Sequence, residues 1–186
     1  MPTGCNQADK RGLVCMTLHE HIFLIGMAGC GKTSLGQRLA QNLGVRFVDT
    51  DQRVSEMMGM TVNDIYSALG EEFFRNAETA ALVELADFEP CIVSTGEGTV
   101  LTEENITIMR NHGIIIFVDR PLDQILSDIK MDRRPTLRGG THDDVIQQYN
   151  HRIGYYRSAS DYRFDNSHGF VVGLNNLTAL VESIQP

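Results

Sequence analysis

Gly26 to Thr33 (GMAGCGKT) has the composition and spacing to hold a phosphate group. It fits G-x-x-x-x-G-K-[ST], with an apolar run before it and a helix-forming run after it, the context that gives the pattern meaning. Glycine lets backbone N–H groups turn inward around an anion, and the N-terminus of the next helix adds positive potential. Gly26, Gly29, Cys30, Gly31 and Ser34 would form the wrap. Lys32 would reach the β- and γ-phosphates of ATP, and the Thr33 hydroxyl would ligate Mg²⁺. A phosphate loop alone does not separate kinase from GTPase or motor, but no NKxD-type guanine signature follows it.

Two acidic groups follow in FVDTDQ. Read as an extended segment, it points Asp49 and Asp51 to the same side. One carboxylate would serve the metal, and the other would accept a hydrogen bond from a substrate hydroxyl. Either alone also reads as an acidic turn capping the next helix. Asp119, after IIIFV, is a second candidate for the metal. Arg75 and Glu78, at i and i+3, are neighbours on a helix. They form either an ordinary surface ion pair or a guanidinium fixed by Glu78 to grip a carboxylate.

The elements that must position these residues alternate. Strands are expected at His21–Ile25, Arg46–Val48, Cys91–Thr95 and Ile114–Val118. Helices are expected at Lys32–Asn42, Thr61–Ala68, Glu71–Asp87, Thr102–Asn111, Leu122–Lys130, Asp143–Arg157 and Leu174–Ile184. The helix at 71–87 would carry Phe73, Phe74, Ala77, Ala80, Ala81 and Leu85 on one face. Arg163–Asp165 and Phe170–Val172 flank a turn. Such alternation builds a parallel sheet with helices on both faces, and ligands bind at the carboxyl ends of its strands. The glycine loop, DTD and Gly96-Glu97-Gly98 each follow a strand, so all three land on that edge. Residues 131–142 (MDRRPTLRGGTH) are polar and rich in Gly and Arg, as a lid would be.

The 186 residues amount to one domain, 17–186, after a polar tail at 1–16. A net charge of −8 argues against a broad nucleic-acid footprint. Of the 16 basic residues 13 are arginine, the side chain suited to bidentate grip of phosphate and carboxylate. Cys5, Cys15, Cys30 and Cys91 form no CxxC pair and read as reduced thiols of a cytoplasmic protein. No apolar run approaches the length of a membrane span. A monomer without nucleic-acid or membrane partners is expected.

The glycine loop, FVDTDQ, FR-x-x-E, a Gly-rich turn after the third strand, RPTL, and Arg152 followed by Tyr155 and Tyr156 occur in one order. In that order the chain resembles the shikimate kinase family from about Thr17 to Asn166, most like its bacterial form. The resemblance implies a three-layer P-loop kinase fold of the nucleoside-monophosphate-kinase type, with a five-stranded parallel sheet and a small lid. It implies transfer of the ATP γ-phosphoryl group to the 3-hydroxyl of shikimate. Carried over by position, Lys32 and Thr33 handle phosphate and Mg²⁺, with Asp49 assisting the metal through water. Asp51 binds the substrate hydroxyls and is a candidate base. Arg75 and Arg152 grip the carboxylate beside Gly96, Glu97 and Gly98, and Arg134 meets the transferring phosphate. Glu97 replaces the middle residue of the family's usual Gly-Gly-Gly; it is expected to turn away, pairing with an arginine such as Arg138. The alternatives are a kinase of another small hydroxy acid such as gluconate, or a nucleotide-binding protein in which Glu97 prevents turnover.

Overall fold

The structure, a computed structural model, describes residues 16–129 and 140–185. Tail residues 1–15 and lid residues 131–139, with Arg134 and Arg138, lie outside them. Met16, the last residue of the expected tail, donates its N–H to the Leu43 carbonyl at 3.0 Å.

Five strands form one parallel sheet in the order β2-β3-β1-β4-β5. They are β1 (His21–Ile25), β2 (Phe47–Asp49), β3 (Ile92–Ser94), β4 (Gly113–Asp119) and β5 (Tyr162–Asp165). β1, flanked by β3 and β4, is buried along its whole length. That explains its unbroken apolar run, since a strand covered on both faces has no solvent side to alternate with. The helices are α1 (Lys32–Leu43), α2 (Thr50–Met58), α3 (Val62–Leu85), α4 (Glu103–His112), α5 (Leu122–Asp128), α6 (His142–Ala159) and α7 (Phe170–Ile184). A short 3₁₀ turn covers Thr99–Leu101. Among the described residues no helix is long and apolar enough to cross a membrane.

The expected elements are present, most with shifts of a residue or two at their ends; α7 begins four residues before the expected Leu174, and α2 is not among the expected helices. The break expected between Ala68 and Glu71 is a kink inside α3, where Gly70 adopts φ 85°, ψ 172°. α3 buries Phe74, Ala81, Leu82 and Leu85 with Glu78 among them, whereas Phe73 and Ala80 face outward, contrary to expectation. Phe74 and Ala81 join Val54 of α2 and Ile65 in a small core separate from the main one. The α2–α3 arm therefore has packing of its own beside the sheet. Phe170–Val172, expected to flank a turn, form the first turn of α7 and are exposed. Three consecutive apolar residues are ambiguous between strand and helix by periodicity alone.

His21, at the start of β1, is 3% exposed and accepts the Cys91 N–H on Nδ1 at 3.1 Å. Burial lowers its pKa below the ordinary 6.5, against the smaller raising effect of its backbone hydrogen bonds. The folded protein therefore holds His21 neutral, while the unfolded chain protonates it below about pH 6.5. Its contribution to stability is complete above that pH and is lost as pH falls through the lowered folded-state value. Urea unfolding should show stability declining from pH 6.5 to 5 by up to about 1.4 kcal/mol per pH unit from this group. His21→Gln should flatten that slope, even if it lowers stability throughout.

Candidate active site

The loops after β1, β2 and β3, with the ends of β4 and β5, surround an open cavity of about 510 Å³ at the carboxyl edge of the sheet. In the first loop Gly26, Gly29 and Gly31 have φ of 144°, 78° and 103°, a region that side-chain-bearing residues rarely enter. The turn they make leads directly into α1 at Lys32. Lys32 Nζ donates to the carbonyls of Gly26 and Met27, at 2.6 and 3.1 Å, which holds the ammonium over the loop. The Cys30 carbonyl accepts from Asn166 Nδ2 at 2.8 Å, so the end of β5 braces the loop. Gly29, Gly31, Lys32, Thr33 and Ser34 all line the cavity.

The Thr33 hydroxyl donates to Asp49 Oδ2 at 3.0 Å and lies 3.1 Å from the Ser94 hydroxyl. Three strand-end loops thus converge on one cluster of oxygen ligands. Asp49 is not on a continuing extended segment with Asp51, because α2 begins at Thr50. Its Oδ1 caps that helix, accepting from the Asp51 and Gln52 N–H groups at 3.1 and 3.3 Å, while Oδ2 faces Thr33. The capping reading is therefore observed, and the second oxygen remains directed at the Thr33 hydroxyl. Asp119 instead binds Arg163 Nε at 2.6 Å, away from Thr33. Among the described residues no three His, Cys, Asp or Glu side chains cluster as a complete metal cage. The oxygen-only cluster at Thr33 fits Mg²⁺, which prefers a few protein oxygens and completes its shell with water and phosphate.

The third loop is locked to α2 and α3. Thr50 Oγ1 accepts the Gly96 N–H at 3.0 Å. Glu78, completely buried, accepts from Thr99 Oγ1 at 2.8 Å and from Arg75 Nη1 at 2.5 Å. Arg75 also donates to Glu71 at 3.0 Å. A Cβ at Gly96 would collide with the Glu78 and Asp51 carboxylates, and one at Gly98 with the Arg75 guanidinium. Neither glycine is needed for a positive φ; both are needed for close approach. Burial raises the Glu78 pKa, although Arg75 and Thr99 pull it down. Burial opposes the Arg75 charge, and Glu78 more than compensates.

The structure brings Lys32, Thr33, Asp49, Asp51 and Glu97 onto the cavity wall. Arg75 packs against Gly98 and Arg152 pairs with Glu97, and Arg134 lies outside the described residues. Glu97 is among the residues that line the cavity, and its expected pairing with an arginine is present. It pairs with Arg152 of α6 at 3.0 Å, and its backbone carbonyl accepts from Tyr156 at 2.6 Å. Sequence reasoning missed Arg120 and Asn166. Arg120 Nη1 donates to the Gly29 carbonyl at 2.9 Å, and its Nη2 binds Asp128 at 2.5 Å. Each follows the end of a strand, the same positional signal that marked the other loops.

A glycine loop, a lysine over it and a hydroxyl–carboxylate pair beside it, on this sheet order, define a P-loop kinase. The shikimate kinase family model matches residues 28–171. A shikimate kinase of Clostridium botulinum strain Eklund 17B is 37% identical over 142 residues, 76% of this chain and 85% of that protein. Shikimate kinase 2 of Escherichia fergusonii is 35% identical over 170 residues, 89% of this chain and 93% of that protein. The structure of Acinetobacter baumannii shikimate kinase in complex with shikimate superposes with a TM-score of 0.80 at 27% identity, covering 89% of this chain and 92% of that one. The chain belongs to the shikimate kinase family.

Glu78 gives a prediction that does not depend on the substrate. Removing one member of a buried ion pair leaves the other uncompensated, at a cost of about 3–5 kcal/mol. Glu78→Ala should lower the urea-unfolding free energy by about that amount. Glu78→Gln, which can still accept from Thr99, should lose less. Equal, small losses would show that the pair contributes no more than a surface contact.

Proposed function

We propose that this chain transfers the γ-phosphoryl group of ATP to the 3-hydroxyl of shikimate, yielding shikimate 3-phosphate. The observation that carries the reading is one cavity lined by a phosphate loop, metal-type oxygens and Glu97, with Arg152 paired to Glu97 and Arg75 held against the Gly96–Gly98 loop. A triphosphate and a small hydroxy acid have complementary demands on those groups.

Phosphoryl transfer needs in-line positioning and charge neutralisation more than covalent participation by the protein. Lys32, with loop N–H groups, would stabilise charge on the β- and γ-phosphates. Mg²⁺, held near Thr33 and Asp49, would supply the remaining neutralisation. That need is visible in the wall itself, where the described lining residues include four carboxylates, Asp49, Asp51, Glu97 and Asp128, and two cations, Lys32 and Arg120. Arg120 would hold the loop through the Gly29 carbonyl. Asp51, in the first turn of α2, would accept a hydrogen bond from the acceptor hydroxyl and receive its proton as the oxygen attacks phosphorus. Arg75, aimed by Glu78, and Arg152 would bind the acceptor carboxylate beside the Gly96–Gly98 backbone. Arg134, which the family resemblance assigns to the transferring phosphate, belongs to the same proposal. A monomer acting in the cytoplasm is the setting proposed for it.

An ADP-release assay with MgATP tests the whole reading. Turnover with shikimate and not with gluconate supports it. Turnover with gluconate alone overturns the acceptor assignment, and ATP binding without turnover on either acid overturns the enzyme assignment.

Two variants separate the two roles. Lys32→Ala should cut kcat by about two to four orders of magnitude, or about 3–5 kcal/mol of transition-state stabilisation, with an intact fold by circular dichroism. Retention of more than about a tenth of the activity would remove Lys32 from the mechanism. Arg75→Ala should raise KM for shikimate by about 10–100-fold, the size of a lost charge-assisted contact, and leave KM for ATP within about threefold. Equal rises for both substrates would assign Arg75 to structure.

A further inference from the structure

Glu97 lines the cavity and pairs with Arg152 of α6, which is not among the described residues that line it. The two charges lie 3.0 Å apart, with side-chain exposures of 11% for Glu97 and 7% for Arg152. Despite that distance, Arg152 Nη1 is buried and makes no hydrogen bond among the described residues. Glu97 therefore neutralises Arg152 without satisfying that N–H. The peptide of Glu97 is fixed independently, by the Tyr156 hydroxyl on its carbonyl at 2.6 Å. Tyr156 is itself buried and stacked on Phe117. Glu97 has no positive φ, so the turn does not require glycine at this position for its backbone conformation.

These facts describe an anion seat with a provisional occupant. A guanidinium presents a planar fork of donors, which a well-aimed carboxylate fills with parallel hydrogen bonds. Glu97, anchored on the loop after β3, supplies charge without that alignment. We propose that Glu97 is a built-in carboxylate that an acceptor acid must displace to reach Arg152, so that it sets acceptor affinity and selectivity. The proposal deepens the shikimate kinase reading and rests on it for the name of the acid.

The chemical consequence is discrimination among carboxylates. A simple acid offers Arg152 only a second carboxylate and gains little by exchanging with the one already there. A polyhydroxy acid adds hydrogen bonds to Asp51 and to the backbone at Gly96 and Gly98, which offset the displacement. The wall thus disfavours unhydroxylated anions, and the cost should fall on acceptor KM. The rival role is that Glu97 positions Arg152 for the acceptor, as Glu78 holds Arg75. The two roles give KM changes of opposite sign.

Steady-state kinetics of Glu97→Gln, which keeps the side chain's size, and Glu97→Gly distinguish them. KM for shikimate should fall by about tenfold in both, as expected for release of a charge-assisted contact, with kcat and KM for ATP within about twofold. A rise in KM for shikimate would make Glu97 a positioning residue and overturn the proposal, as would an unchanged KM. A second measurement does not require turnover: nitrogen-15 NMR of the Arg152 guanidinium, assigned by its loss in Arg152→Lys, during titration with acetate. The signal should shift at millimolar acetate in both variants and stay still in the wild type. No shift in the variants would also overturn the proposal. If the variants respond to acetate but no form phosphorylates shikimate, the displacement role stands and the acceptor assignment fails.

Discussion

The loop after β3 depends for its position on the buried Glu78 carboxylate. Without partners, an ionised carboxylate at zero exposure would take up a proton or unfold its surroundings. Here Arg75 supplies the opposite charge and Thr99 a hydroxyl donor. Those partners lie on different elements, so satisfying one charge draws α3 onto the loop after β3. That approach explains why Gly96 and Gly98 are glycines: the carboxylate and the guanidinium occupy the space their Cβ atoms would take. Thr50 adds a further tie from α2. The position of the loop is thus a consequence of polar satisfaction in the interior, and the small α2–α3 core gives the arm that carries it its own rigidity.

The nucleotide side is organised by the sheet. Parallel strands deliver their carboxyl ends to one edge, and three of those ends meet at Thr33, Asp49 and Ser94. Asp49 illustrates how little the chain wastes there. Its two oxygens serve different masters, one terminating the backbone donors of α2 and the other reaching across to α1. A substitution at Asp49 therefore cannot be read as a metal-site effect alone, because loss of an N-cap costs about 0.5–2 kcal/mol by itself.

Much of this was legible in the residues. The phosphate loop carries its meaning within eight positions, and β1 announces its burial by having no polar residue from Ile22 to Ile25. The Arg75–Glu78 pair is local, so helical spacing alone placed it. Helix geometry could not tell a surface pair from a buried one, since that depends on what packs above; the answer was Thr99, 21 residues away. Arg120 and Asn166 were harder still. Their roles consist of contacts to carbonyls of the glycine loop, 91 and 136 residues distant, and backbone carbonyls leave no trace in a sequence pattern. Phe170–Val172 shows the opposite failure. Its aromatic and β-branched residues carry a strand-like signal, but tertiary context assigned them to the exposed start of α7.

The two glutamate–arginine pairs of the acceptor side show why residue identity alone does not set function. Glu78 and Glu97 each bind an arginine assigned to the same substrate group, and each pair is more than four-fifths buried. Glu78 approaches Arg75 from the protein interior, shares its second oxygen with Thr99, and has nowhere to go. Glu97 lines the cavity and pairs with Arg152, on a loop whose backbone is held by Tyr156. A carboxylate behind a guanidinium orients it and raises its capacity to bind an anion in front. A carboxylate in front takes the place that such an anion would fill. The same kind of ion pair would thus stabilise a binding site in one case and, on the displacement proposal, compete with its ligand in the other, and the side from which the carboxylate arrives would decide which.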